Sequence, residues 1–330
     1  MRNLITDVAG VKVGNASDRR AATGVTAVVF DAPATASVAA LGGGPGARET
    51  DLLSPEMTVQ QVDAILLSGG SAFGLAAADG AMTELAARGR GFQVGAARIP
   101  IVPQAICFDL LNGGDKAWGD APPYRDLGRA AVAAADVTFR LGSHGAGLGA
   151  TTAEVKGGLG SASAVTASGH TVGAIVVVNA VGSALVNGGP HFWAAPFERD
   201  GEFGGLGWPA DVGAARLTTP LKGVAAGANT TIAVVATDAA LDKAQAKRVA
   251  FSAHDGFARA IRPAHTPLDG DIVFSAATGR RPLGDPVAAL TELCVAAADV
   301  MARAVARGVY HAEALPFPGA APSWRDRFGR

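Results

Sequence analysis

Apolar positions along the chain fall into short runs and into longer, helically spaced sets. Val62 to Leu67 is a short, mostly apolar run that predicts a β-strand; the SGGSAFG stretch after it (68–74) predicts a tight turn. The Ala-rich Leu75–Arg88 segment then predicts a helix closed by Gly89. Further strands are predicted at Val172–Val178, Ile232–Ala236 and Ile272–Ser275. Between the last two, Leu241, Ala244, Val249, Ala253, Phe257 and Ile261 fall roughly on one helical face, predicting a helix over Leu241–Ile261 that stops at Arg262-Pro263. A closing helix is expected from about Pro286 to Arg307. The segment Gly188–Gly227 has many prolines and glycines, interspersed aromatics and little periodicity, and reads as a long loop or linker, of a kind more often functional or mobile than structural filler.

The 44 glycines cluster at GGGPG (42–46), SGGSAFG (68–74), GSHGAGLGA (142–150) and KGGLGSAS (156–163), each beside an apolar segment. No fixed-period repeat is present, so these clusters read as strand-to-helix turns of one α/β body. A length of 330 residues allows one large domain or two intimate ones, and 49% hydrophobic against 17% charged residues supplies a sizeable core. The formal charge of −1, with no basic block, argues against a nucleic-acid partner. Cys107 and Cys294 sit among apolar neighbours and suit a reducing cytoplasm. The N-terminal segment lacks an apolar core of signal-peptide length, and the Thr171–Val186 stretch is interrupted by Asn179 and two glycines, so neither export nor a membrane span is expected.

Several chemistries can be weighed on these residues. Ser71 lies in a strand–turn–helix setting, but Gly69-Gly70-Ser71-Ala72-Phe73 departs from the G-x-S-x-G elbow, and Ser71 suits a helix cap or a substrate contact better than a nucleophile. No phosphate-cradling glycine motif is complete, and the six histidines occur singly, so no metal is expected. The stretch GANTTIAVVATD (227–238) enters a strand through Asn229, Thr230 and Thr231. Two β-branched residues can simply open a strand. Alternatively, cutting the chain before Thr230 would give its hydroxyl an adjacent α-amine, with an unperturbed pKa of about 7.7–8, as its base.

The chain also carries, in order, ITDVAGVKVG, GGGPGARETDLL (42–53), LLSGGSAFGLAAADG (66–80), GAGLGATTAEVKGGLGSAS (145–163), VVVNAVG (176–182), GANTTIAVVATDAAL (227–241) and HDGFARAIRPAHTPLDGDIVF (254–274). It thereby resembles the self-processing N-terminal-nucleophile hydrolases that include the L-aminopeptidase/D-esterase, the β-peptidyl aminopeptidases and the nylon-oligomer (6-aminohexanoate-oligomer) endohydrolase. The resemblance implies an α/β fold, a four-layer α-β-β-α sandwich, forming one catalytic domain over 1–330. It implies a cut at Asn229–Thr230 into an α-chain 1–229 and a β-chain 230–330, with Thr230 as nucleophile and Asn179 supporting the oxyanion. Lys156 would be the family lysine, although one branch of the family places it where this sequence has Glu154. Asp269 and Asp271 would hold and relay the proton of the new amine; read without the family, their Asp-Gly step signals a hairpin turn. Gly70, Ser71 and Phe73 are candidate substrate contacts. No cofactor is implied. The expected substrate is a linear amide oligomer or short peptide, with release of N-terminal residues as the alternative, and the expected assembly is a homo-oligomer of α/β pairs. A non-catalytic ligand-binding protein and a serine hydrolase built on Ser71 are the rivals.

Overall fold

The computed structural model describes residues 1–211, 220–222 and 229–329. Its strands and helices, in chain order, are β1 Val11–Asp18, β2 Thr23–Ala40, β3 Ala47–Arg48, β4 Gln61–Ser68, α1 Ala77–Ala87, β5 Phe92–Val94, β6 Ala97–Ile99, β7 Gln104–Ile106, α2 Tyr124–Ala133, β8 Leu159–Val165, β9 Thr171–Asn179, β10 Thr230–Ala239, α3 Lys243–Ala260, β11 Ile272–Arg281, α4 Ala288–Tyr310 and α5 Trp324–Phe328.

The 18-residue β2 organises the molecule. Its first half, up to Phe30, pairs with β1 on one side and β4 on the other, while Thr35–Ala40 pairs with β11. The β2–β4 register breaks between Val29 and Ala34, a span holding Pro33, which has no N–H to give a ladder. One nine-stranded ladder, β3-β7-β4-β2-β11-β10-β9-β8 with β1 also paired to β2, thus folds at β2 into two sheets that pack face to face, a first (β1, β2, β4, β7, β3) and a second (β2, β11, β10, β9, β8).

The alternation of side chains along each strand then creates three apolar seams. Val28, Phe30, Ile65 and Leu67 from the first sheet meet Ile175, Val177, Ile232, Val234, Ile272 and Phe274 from the second. On the outer face of the second sheet, Val176, Ala233, Val235 and Val273 pack on α3 and α4 through Val249, Phe257, Leu293, Met301 and Val305. On the outer face of the first, Val25, Ala27, Ala64 and Leu66 pack on α1 and α2 through Ala81, Leu85, Ala131 and Val132. Three seams between four layers make the α-β-β-α sandwich that the family resemblance implies.

The predicted strands and long helices are present, with ends set by local chemistry. Helix α3 starts at Lys243 because Asp242 accepts the Gln245 N–H at 2.8 Å while the Gln245 side chain accepts the Asp242 N–H, a capping box. The helix expected from Leu75 opens as a 3₁₀ turn over Ser71–Ala76 and becomes α-helical at Ala77. Of the predicted loop Gly188–Gly227, residues 212–219 and 223–227 lie outside the described residues; the part nearer β9 packs inward, Phe192 lying edge-on to Phe203 at 5.4 Å and stacked on Trp324 at 5.9 Å. Among the described residues no helix is long and apolar enough to cross a membrane.

Candidate active site

Three strand ends meet at one edge of the second sheet. Strand β9 finishes at Asn179, β10 begins at Thr230, and antiparallel pairing sets these two residues directly opposite each other. Strand β11 runs parallel to β10, with Ile272 opposite Ile232, so the turn that precedes it, Asp269-Gly270-Asp271, arrives at the same edge; Asn229 bridges to Asp269. The Asp-Gly step does not make a hairpin, since β11 pairs with β10 and β2 rather than with its chain neighbour, and Gly270 has no positive φ.

The carbonyl oxygen of Asn229 accepts two hydrogen bonds, from the Gly270 N–H at 2.9 Å and from the Thr230 hydroxyl at 2.5 Å. A side chain at residue 270 is excluded: a Cβ there would stand 2.6 Å from the Gly44 carbonyl oxygen and 2.9 Å from Thr230 Oγ1. Gly44 belongs to the GGGPG cluster, and its own N–H donates to the Asp269 carbonyl at 2.8 Å, so that cluster backs the turn. Asn229 has no exposed surface and Thr230 only 2%.

Both carboxylates are committed to positioning. Asp271 Oδ1 accepts the Thr231 N–H at 2.8 Å, and its Oδ2 accepts the His265 N–H and meets His265 Nδ1, each at 2.9 Å. Asp269 accepts the Val181 N–H at 3.1 Å through one oxygen and the Thr266 N–H and hydroxyl through the other. Burial, then the charge of Asp271, pushes the Asp269 pKa above the usual carboxylate value. Burial pulls His265 down, but the hydrogen bond to and charge of Asp271 outweigh it and the imidazole ends raised.

Asn179 is fully buried. Its Oδ1 accepts the Thr151 N–H at 3.0 Å and the Lys222 ammonium at 2.9 Å; its Nδ2 donates to the Phe108 carbonyl at 3.0 Å, leaving a second N–H on that nitrogen. Lys156 does not reach this group directly. Its ammonium donates to the carbonyls of Gly147 (3.0 Å), Ala150 (2.6 Å) and Gly157 (2.8 Å), thereby bracing the loop that presents the Thr151 N–H to Asn179. Burial pushes the pKa of Lys156 down to about 7 and that of Lys222 down to about 8. Glu154 lies elsewhere, accepting the Ser183 hydroxyl.

A cavity of about 550 Å³ opens in front of Asn229. Its walls include Asp109, Asn112, Thr151, Lys222 and the Pro318–Ala321 segment. Asp109 is a buried carboxyl that accepts the Thr23 hydroxyl at 2.6 Å and the Gly70 N–H at 2.8 Å; burial raises its pKa. Of the candidate substrate contacts, Gly70 therefore acts on the cavity through Asp109, and Ser71 and Phe73 are not among the lining residues. Ser71 has the positive φ (51°) of a strained turn, yet no histidine hydrogen-bonds it among the described residues; Phe73 is half exposed and lies edge-on to Trp118 at 5.9 Å. Among the described residues no group of three or more His, Cys, Asp or Glu side chains could hold a metal ion.

Sequence reasoning missed Lys222, Asp109, His265 and Gly270. Lys222 sits in an aperiodic stretch, but one signal was available: only six of the 28 cationic residues are lysines, and two of those six are the buried ammoniums of this site. A compact ammonium whose pKa yields to burial is not replaceable by arginine.

The model of peptidase family S58 matches residues 3–320. The chain is 45% identical, over 99% of its length and 98% of the relative's, to an uncharacterized aminopeptidase of Mycobacterium bovis. It is 28% identical to the 6-aminohexanoate-oligomer endohydrolase of Kocuria sp., over 82% of this chain and 74% of that one. In fold it resembles the L-aminopeptidase D-Ala-esterase/amidase of Ochrobactrum anthropi, described as a variant of the Ntn hydrolase fold, with a TM-score of 0.70, 20% identity, and coverage of 100% of this chain and 95% of that one.

Proposed function

Since the chain belongs to peptidase family S58 and is a hydrolase acting on amide bonds, we propose that it cuts its own Asn229–Thr230 bond and uses the freed Thr230 as its nucleophile. The observation that carries this reading is the carbonyl of Asn229, held between the Thr230 hydroxyl at 2.5 Å and the Gly270 N–H at 2.9 Å. Thr230 Oγ1 adds to the Asn229 carbonyl carbon, its proton passing to the departing Thr230 nitrogen, and the negative charge developing on the carbonyl oxygen is stabilised by the Gly270 N–H. Collapse expels the Thr230 nitrogen, so the α-segment becomes an ester on Thr230 and the residue gains a free amine. Release of that ester leaves residues 1–229 and a 101-residue chain (330 − 229) that begins with Thr230.

In the mature site the α-amine of Thr230 takes the proton of its own hydroxyl as that oxygen attacks a substrate amide. The Asn179 Nδ2 N–H that no group among the described residues engages is the donor for the substrate oxyanion, with Lys222 and Thr151 fixing the orientation of the amide. Asp269 and Asp271 flank the new ammonium and stabilise it, and water resolves the acyl-enzyme. The scheme uses no cofactor.

For substrate, the carboxyl of Asp109 on the cavity wall suits the ammonium end of a short peptide or amide oligomer. The 45% identity to an aminopeptidase against 28% to an oligomer endohydrolase favours removal of N-terminal residues. We place the enzyme in the cytoplasm as a homo-oligomer of α/β pairs. The test is a substrate panel run on wild type and Thr230→Ala. Wild type is expected as two chains that hydrolyse amides and the variant as one inert chain; a whole wild-type chain that hydrolyses amides would overturn the reading.

A further inference from the structure

The side chain of Asn229 is the strangest group in the site. It is wholly buried, and among the described residues neither its Nδ2 nor its Oδ1 has a hydrogen-bond partner. Leaving such atoms unpaired in the interior is costly, so a buried amide of this kind calls for a use that offsets the penalty. The backbone on either side leaves little freedom: the Asn229 carbonyl is tied to Gly270 and Thr230, and Thr230 opens the β10 ladder opposite Asn179. The amide is thus held beside its own carbonyl carbon at the wall of the cavity, undocked.

We propose that Asn229 finishes the cut that Thr230 begins, by closing its side-chain amide onto its own carbonyl. The inference rests on the reading that the α-segment is first transferred to Thr230 Oγ1. Nδ2 attacks the ester carbonyl carbon of Asn229; the Nδ2–C bond forms, the C–Oγ1 bond breaks, and the proton leaving Nδ2 passes to Thr230 Oγ1. The α-chain departs with a five-membered imide at its C-terminus and no water is consumed. Intramolecular closure suits this place: well-oriented internal nucleophiles act at effective concentrations of about 10⁵–10⁸ M. A water molecule would have to reach a carbonyl whose residue has no exposed surface.

The two routes leave different ends. Direct hydrolysis gives only asparagine with a free α-carboxylate. The imide is one water lighter, and on standing it opens at either carbonyl, giving asparagine or isoasparagine, in which the α-carbon carries the carboxamide. The experiment takes freshly made wild-type protein, quenches it in acid and measures the intact mass of the α-chain. It then ages the protein at neutral pH and fragments the C-terminal peptide. The expected result is an α-chain one water light that ages to a mixture containing isoasparagine. A cut α-chain ending only in asparagine from the first time point overturns the proposal while leaving self-cleavage intact; a chain that never cuts removes both. As a second measurement, Asn229→Asp has no side-chain nitrogen to close the imide and is expected to cut about tenfold or more slowly. Cutting at the wild-type rate would also overturn the proposal.

Discussion

The Gly270 N–H points at the Asn229 carbonyl oxygen from 2.9 Å, so the bond proposed to break is polarised by a turn that belongs to the other side of the cut. Residue 270 tolerates no side chain, because a Cβ would press on Thr230 Oγ1 and the Gly44 carbonyl. Gly270→Ala should therefore displace the donor and the hydroxyl together. Loss of one oxyanion donor slows acyl transfer by roughly 10²–10³-fold. Conversion of one chain to two, followed over time on gels, should slow by a comparable factor; an unchanged rate would show that this N–H carries no charge in the reaction.

Lys222 reaches Asn179 Oδ1 from the α-segment just ahead of the cut. Replacing it with methionine leaves the Thr151 N–H on Oδ1 and the Phe108 carbonyl on Nδ2 to orient that amide. Lys222→Met is expected to reduce amide hydrolysis by about tenfold, the equivalent of one ordinary hydrogen bond to a charged group, with its larger effect in kcat. A variant with wild-type kcat would assign the orientation of Asn179 to Thr151 and the Phe108 carbonyl.

Lys156 gives a prediction about stability. Its folded pKa is about 7, pulled down by burial from 10.5. Between those values the unfolded chain holds a proton that the folded chain lacks, so this residue makes the fold more stable as pH rises from about 7 towards 10.5. In an uncut Thr230→Ala chain, denaturant titrations should show that rise, and Lys156→Met should flatten it. The variant should also lose a few kcal/mol, since three carbonyls lose their donor. An identical pH slope in both chains would contradict a depressed ammonium at this position.

Ser71→Ala separates two nucleophiles. Its strained backbone resembles a hydrolase elbow, but no histidine hydrogen-bonds it among the described residues. The variant should cut itself and hydrolyse amides at rates within about twofold of wild type, as expected for a change outside the reacting groups. Loss of hydrolysis with normal band conversion would move the chemistry to Ser71.

What could be read from the sequence follows from what is local. The apolar runs at Val172–Val178 and Ile232–Ala236 announce strands because each residue's neighbours in sequence carry the pattern. The Asn179, Thr230 and Asp271 positions stand at the ends of such runs, but their roles follow from the family resemblance carried by the motifs around them and not from the runs themselves. The switch of β2 between sheets was not legible, since its only local trace is Pro33 inside an 18-residue strand. Lys222 and Asp109 were missed for the same reason: their partners, Asn179 and Gly70, lie 43 and 39 residues away, and no spacing rule joins them. Lys156 was found as a residue, and the structure places it one loop behind Asn179.

The most direct test of the central claim is the N-terminal residue and intact mass of the smaller chain in purified wild-type protein. The account predicts a 101-residue chain whose first residue is Thr230, with a free amine. A smaller chain beginning at any other residue, or an active protein that remains a single 330-residue chain, would contradict it.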